Sequence, residues 1–444
     1  MNLTVSNSTQ YKVNEISIVT KGGPIQVTGI FEELNIFDSL MLPVLSGNIL
    51  IADSIGLSGK LLFDGSEVIQ IDITKDQDGQ IAAFKEAFRI YKQTDRKNLN
   101  QNSEKYILHF VSDELMFSDQ QRVNQSYETT YSNIVEKILT HYLKVAPSNR
   151  ALHENTSGIR KVVIPNLRPL EAIEWCAKRA VDDRNSPNYM FYRNIVGFNF
   201  VSLSTLLSYP EILDIRFDPK NLKNSTSLQE MSSARSFEVI TQNDSIDKTR
   251  SGVNAGTFIG FDPLTKTYMA KPITYGDHYG SMDHGNENPN VTEIFNRDNT
   301  TNLSTIDSRK VLSFFGAARK FSEYIKKNDP QSLSKVESYE NYLFQRKAIL
   351  KNLVGKRIKI VMPGNFQLTS GFNVFFSAPS FSKKAVGNIN EDESIKGKYL
   401  IIATRHIITN SKHETVIEVV TDSTTNSVDL TSNPAQNQAL ENFA

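Results

Sequence analysis

This chain has few of the residues on which compact chemistry is usually built. Its 444 residues include one cysteine, one tryptophan and seven histidines. A single cysteine, Cys176, excludes an intramolecular disulfide framework and a cysteine-based zinc site. There is no charge excess: Lys plus Arg and Asp plus Glu are 49 each, with a pI near 7.1. A dedicated nucleic-acid binder needs a basic surplus on some face. Without a strong long-range field, assembly is expected to rest on shape and apolar contact. No apolar run reaches the ~20 residues that span a bilayer. The opening Met1-Asn-Leu-Thr-Val-Ser-Asn-Ser8 lacks the basic and apolar regions of a secretory leader. The expectation is a soluble protein made in a reducing compartment. Walker loops, Gly-x-Ser-x-Gly elbows, dinucleotide fingerprints and His-Glu-x-x-His runs are also missing, so neither an enzyme nor a cofactor is expected.

What is present is enough apolar sequence for real cores, 39% against 22% charged, and a length that predicts two to four domains. It also contains a duplication. Gly47-Asn-Ile-Leu-Ile51, Gly65-Ser-Glu-Val68 and Tyr106-Ile-Leu-His-Phe-Val-Ser-Asp113 occur in that order near the N-terminus. Gly355-Lys-Arg-Ile-Lys-Ile360, Gly371-Phe-Asn-Val374 and Thr415-Val-Ile-Glu-Val-Val-Thr-Asp422 repeat the order near the C-terminus. The shared order at nearly equal spacing predicts one small β-domain used twice. Three copies of such a chain would present six alike units.

Strict alternation with short Gly/Asp turns from about 14 to 115 predicts antiparallel strands with one buried face. From about 120 to 215 the period changes. Tyr131 to Leu143 places Ile134, Val135, Ile138 and Leu139 on one helical face, and Pro169 opens a second helix that carries Cys176 as a buried residue. A hairpin is predicted over Tyr189 to Val201, turning near Asn194 to Gly197. The fold class expected is β-rich α+β: two homologous small antiparallel β-barrels with an inserted α+β module and a loop-rich insertion. The boundaries are 1–118 for the first barrel, 119–232 for the α+β module, and 233–275 with 350–424 for the second barrel. An insertion ending in a helix takes 276–349, and 425–444 is a tail with little to bury.

Two groups could be mistaken for sites. Asp277, His278, Asp283 and His284 lie close together in a Gly-rich loop and could form a metal shell; solvated polar filler is the expected role. Glu32-Glu33 and Asp182-Asp183 are adjacent pairs whose side chains diverge, unlike the spaced carboxylates of a glycosidase. Phe37, Leu40, Leu42, Leu45, Phe372 and Phe376 are the expected interface residues, with ordinary core as the alternative.

Glu33 to Asp53 resembles the N-terminal signature of baseplate hub proteins of T-even-type contractile bacteriophages. Ile164 to Ala180 is similar to the helix entry of that family's inserted domain. Gly355 to Val374, with Gly397-Lys-Tyr-Leu-Ile-Ile-Ala-Thr-Arg-His406, is similar to its second barrel. The resemblance covers roughly residues 14–422. It implies a homotrimer whose six barrels form a pseudo-six-fold ring between a hexameric tail tube and a trimeric spike, with a channel for DNA in transit. Other baseplate (wedge) proteins would be partners. The location implied is the virion tail baseplate, assembled in the host cytoplasm. The chain's short tail predicts that the spike is a separate polypeptide. The rival functions are a glycan- or receptor-binding tail module and a tail-associated cell-wall hydrolase.

Overall fold

Alternating burial places much of the described chain in strands. In Ser46–Asp53 the inward residues are Gly47, Ile49, Ile51 and Asp53; in Lys356–Pro363 they include Ile358, Ile360 and Met362. The computed structural model describes residues 11–60, 63–77, 80–100, 103–184, 186–217, 232–262, 266–289, 302, 305–314, 343–380 and 391–425. The predicted tail from 425 therefore lies almost wholly outside the described residues.

The N-terminal unit holds β1 (Tyr11–Thr20), β2 (Gly23–Gln26), β3 (Phe31–Ser39), β4 (Ser46–Asp53), β5 (Val68–Gln77), β6 (Gln80–Asn100) and β7 (Ser103–Val111). The α+β module contributes β8 (Ser126–Thr129), β9 (Arg150–His153), β10 (Arg160–Val163), β11 (Tyr189–Arg193), β12 (Phe198–Ser202) and β13 (Glu211–Arg216). After β14 (Ser236–Thr241) come β15 (Ala255–Asp262), β16 (Thr267–Thr274), β17 (Asn288–Pro289) and β18 (Lys310–Phe314). The C-terminal unit is completed by β19 (Lys356–Pro363), β20 (Asn373–Ser377), β21 (Gly397–Thr409), β22 (His413–Thr421) and β23 (Ser423–Thr424).

Thirteen strands make one sheet, ordered β14-β19-β22-β21-β3-β4-β7-β6-β5-β1-β2, with β20 and β13 continuing from β21. Among the described residues its ladders trace an open path, not the two closed barrels expected. Each half nonetheless contains the same five-strand path. In chain order β3, β4, β5, β6 and β7 correspond to β14, β19, β20, β21 and β22. In space the orders are β3-β4-β7-β6-β5 and β14-β19-β22-β21-β20, antiparallel at every step.

Three boundaries differ from expectation. β15 does not join the C-terminal unit; it pairs with β16 and, in parallel, with β18 in a separate small sheet. β13, expected within the α+β module, runs parallel to β20 as an outer strand of the C-terminal unit. The helix expected to end the insertion at 349 is described over Gln345–Leu353 and so runs past that boundary. Within the α+β module the two predicted helices and the hairpin are found. Helix Tyr131–His141 is capped by the Thr130 hydroxyl and buries Ile134, Val135, Ile138 and Leu139. Helix Pro169–Ala177 buries Cys176. β11 and β12 form the predicted hairpin.

Each unit has its own core, around Ile49, Ile71, Phe88 and Phe110 in the first and Ile360, Val374, Phe376 and Val419 in the second. A further cluster forms where the units meet the α+β module, built from Leu40, Tyr192, Leu206, Leu353, Leu400 and Val420.

Candidate assembly surface

The two units are fused edge to edge, and the fusion shows what their edges can do. The C-terminal half of β21 pairs antiparallel with β3, from Ala403 opposite Ser39 to Thr409 opposite Glu33. Arg405 Nε donates to Asn35 Oδ1 at 2.9 Å across this seam, and the guanidinium lies over the Phe37 ring. One unit thus offers the outer edge of its long strand and the other the outer edge of its first strand.

The repetition extends to single residues. On β6, Arg89, Ile90, Lys92, Gln93 and Thr94 face Val111, Phe110, His109, Leu108 and Ile107, with a bulge between Ile90 and Lys92. On β21, Leu400, Ile401, Ala403, Thr404 and Arg405 face Val420, Val419, Glu418, Ile417 and Val416, with a bulge between Ile401 and Ala403. Bulges re-aim a strand and are placed features of a sheet. The same bulge in the same pairing makes the two units copies of one design at this ladder. The closing strands match in burial as well: Tyr106, Leu108 and Phe110 point inward, as do Thr415, Ile417 and Val419.

Two edges equivalent to those joined in the seam have no ladder partner among the described residues. One is the β6 stretch beyond Arg89, where β5 no longer pairs; the other is the outer side of β14, which pairs only with β19. Tyr91 is 53% exposed, Leu99 57% and Ile240 42%. Exposed edges invite pairing with another chain. Sequence reading did not single out these segments, because Lys92-Gln-Thr-Asp-Arg-Lys-Asn98 reads as solvated surface when its strand partners are unknown.

The residues expected at an interface are divided. Leu40, Leu45 and Phe376 are fully buried in the chain's own cores, which removes them from any outer surface; Phe372 packs partly buried against the second core. Phe37 lies half-buried at the seam under Arg405. Leu42 is 53% exposed. Leu40 docks the first unit onto the α+β module, so this apolar stretch is an interface within the chain.

The modules are pinned by buried polar groups. Arg193 on β11 pairs with Glu114 and, at 3.4 Å, with Glu86 on β6. At the end of β3, buried Asp38 accepts from the Thr369 hydroxyl and from Ser370 N at 3.1 Å. Asn194 Nδ2 donates to Ser370 O at 2.8 Å, bringing the α+β hairpin to the same point. Burial pushes the Asp38 pKa up to about 6, against the lowering effect of its hydrogen bonds.

The Asp/His loop has structural work. His284 Nδ1 faces Asp422 Oδ2 at 2.7 Å, and Nε2 faces the Tyr279 carbonyl at 2.6 Å. Burial opposes protonation of His284, but the Asp422 carboxylate outweighs it and holds the pKa above its ordinary value. Asp283 accepts from Ser204 Oγ at 2.8 Å and pairs with Arg184 at 3.1 Å. Asp277 and His278 lie in helix Tyr275–Tyr279, with side chains outside the described residues. Among the described residues no group of three or more His, Cys, Asp or Glu is placed to hold a metal, and no helix is long and apolar enough to cross a membrane.

Several solved structures share the chain's extent. A tail protein from Neisseria meningitidis MC58 matches 92% of this chain and 96% of its own, at 12% identity and TM-score 0.49. The 43 kDa tail protein of prophage MuSo2 from Shewanella oneidensis matches 92% and 98%, at 10% and 0.47. The E. coli c3393 protein, a component of the type VI secretion system, matches 94% and 80%, at 9% and 0.42. These are tail and type VI secretion proteins. With TM-scores below 0.5, none of these likenesses bears on function by itself. No protein-family model matches the chain, and no curated protein matches its sequence.

Proposed function

We propose that the chain is the structural hub of a contractile phage-type tail. Three copies form a ring of six alike units, which adapts a hexameric tube to a trimeric spike and leaves an axial channel for DNA. The observation that carries this reading is the five-strand unit used twice, with the same bulge, and joined edge to edge. A ring of three chains with two such units has approximate six-fold character while keeping true three-fold symmetry. The resemblance of Glu33 to Asp53, of Gly355 to Val374 and of Gly397 to His406 to phage hub proteins supports the same role. A trimeric spike and the surrounding wedge proteins are the partners in this reading, and the chain does no chemistry of its own.

Electron microscopy of the purified chain tests it. Class averages should show a ring with six lobes and a central hole. Compact particles without a hole, at concentrations where the chain is fully associated, would contradict it. Degradation of cell-wall preparations by the pure chain would contradict the non-enzymatic role.

A further inference from the structure

We infer that the ring closes by a specific ladder: the outer edge of β6 in one copy pairs antiparallel with β14 of the next, in the register that β21 and β3 use within the chain. This rests on the hub reading above and names the surface through which it would be realised.

The register follows from ladders already described. Ile407 lies opposite Glu414 on the closing strand of its unit. The equivalent of Glu414 in the first unit is Lys105, which lies opposite Lys97. Lys97 therefore occupies the place of Ile407, and by the same route Thr94 that of Arg405 and Asn98 that of Ile408. On the other side, Asn35 faces Asn48 and Leu34 faces Ile49, while Glu238 faces Lys359 and Phe237 faces Ile360. Glu238 thus stands where Asn35 stands, and Phe237 where Leu34 stands. Within the chain Ile407 pairs with Asn35 and Ile408 with Leu34. Transferred to two copies, Lys97 faces Glu238 and Asn98 faces Phe237.

The edges suit that occupant. Lys97, Ser236 and Glu238 are all exposed, so none is committed to its own core. Lys97 against Glu238 sets opposite charges directly across the new ladder, a favourable cross-strand pair. β6 carries two irregularities that β21 lacks: one between Asn98 and Asn100, which leaves Leu99 out of the register, and one between Thr94 and Lys97, with Asp95 at φ 53°. The ladder is therefore interrupted there and resumes at Lys97. A contact between two different edges is head-to-tail: it forms a closed ring if the rotation closes and a filament if it does not.

Engineered cysteines in the full chain test the register. The one native thiol, Cys176, is buried and does not compete. Lys97→Cys with Glu238→Cys should oxidise to a reducible covalent trimer. Lys97→Cys with Ser236→Cys is two residues out of register and should give at least about tenfold less, since diagonal neighbours lie ~7–8 Å apart. Solution mass is measured on the same variants before oxidation. A trimer that does not link at the matched pair would overturn the ladder and leave the hub reading standing. An open covalent ladder beyond three copies would overturn ring closure while keeping the contact. A chain that stays monomeric and unlinked at every concentration would overturn both.

Discussion

Among single residues, Gly47 has the least room for change. A Cβ there would lie 2.3 Å from the Asn35 carbonyl oxygen and 2.4 Å from the Phe110 ring. The backbone carbonyl cannot give way, so Gly47→Ala should cost about 3 kcal/mol or more through overpacking. Gly29→Ala, with nothing within 4 Å of its Cβ, should leave denaturant midpoints almost unchanged. Equal midpoints for the two variants would refute this. Asp38 supplies a pH signature. An acid whose pKa is near 6 folded and near 3.8 unfolded holds its proton more tightly in the folded state. Its contribution therefore favours folding as pH falls from about 6 towards about 4, by at most ~3 kcal/mol. Asp38→Asn should lose that gain. His406, pushed down to about 3 by burial, acts in the opposite direction in both proteins and cancels in the comparison. Parallel stability curves between pH 4.5 and 7 for the two proteins would exclude the assignment.

At the scale of elements, the α+β hairpin is held to the first unit by Arg193, whose side chain is 6% exposed between Glu114 and Glu86. Removing one partner of a buried pair leaves an uncompensated charge, so Arg193→Ala should lower stability by about 3–5 kcal/mol. Arg193→Met with Glu114→Leu should recover much of that loss. A single variant as stable as the parent would show that the clamp contributes nothing. Alternation made most strands legible in the sequence, and the helices of the α+β module were legible from their apolar faces and Pro169. The duplication was legible only in outline. Its closing strands correspond as read, Tyr106–Asp113 to Thr415–Asp422. The opening strands do not, because Gly47 corresponds to Ile358 and not to Gly355. The inward residues Gly47, Ile49 and Ile51 match Ile358, Ile360 and Met362, so buried alternation, not the shared glycine, fixes the frame. Gly65 and Gly371 share φ 89°, yet Ile69, not Val68, is the counterpart of Val374. The β3–β14 correspondence is carried only by apolar-polar-apolar triplets, Leu34-Asn-Ile36 and Phe237-Glu-Val239. The seam joins residues some 370 positions apart, a separation that no local pattern encodes.

For the whole molecule, the same two kinds of edge occur twice: once joined inside the chain, at β21 and β3, and once without a ladder partner among the described residues, at β6 and β14. In the proposed ring, each chain would repeat its own internal seam with its neighbours. The most direct measurement is the mass of the purified chain in solution, by light scattering at two concentrations. The account predicts a particle of three times 50.0 kDa that does not grow with concentration. A particle of 50.0 kDa at both concentrations would contradict it.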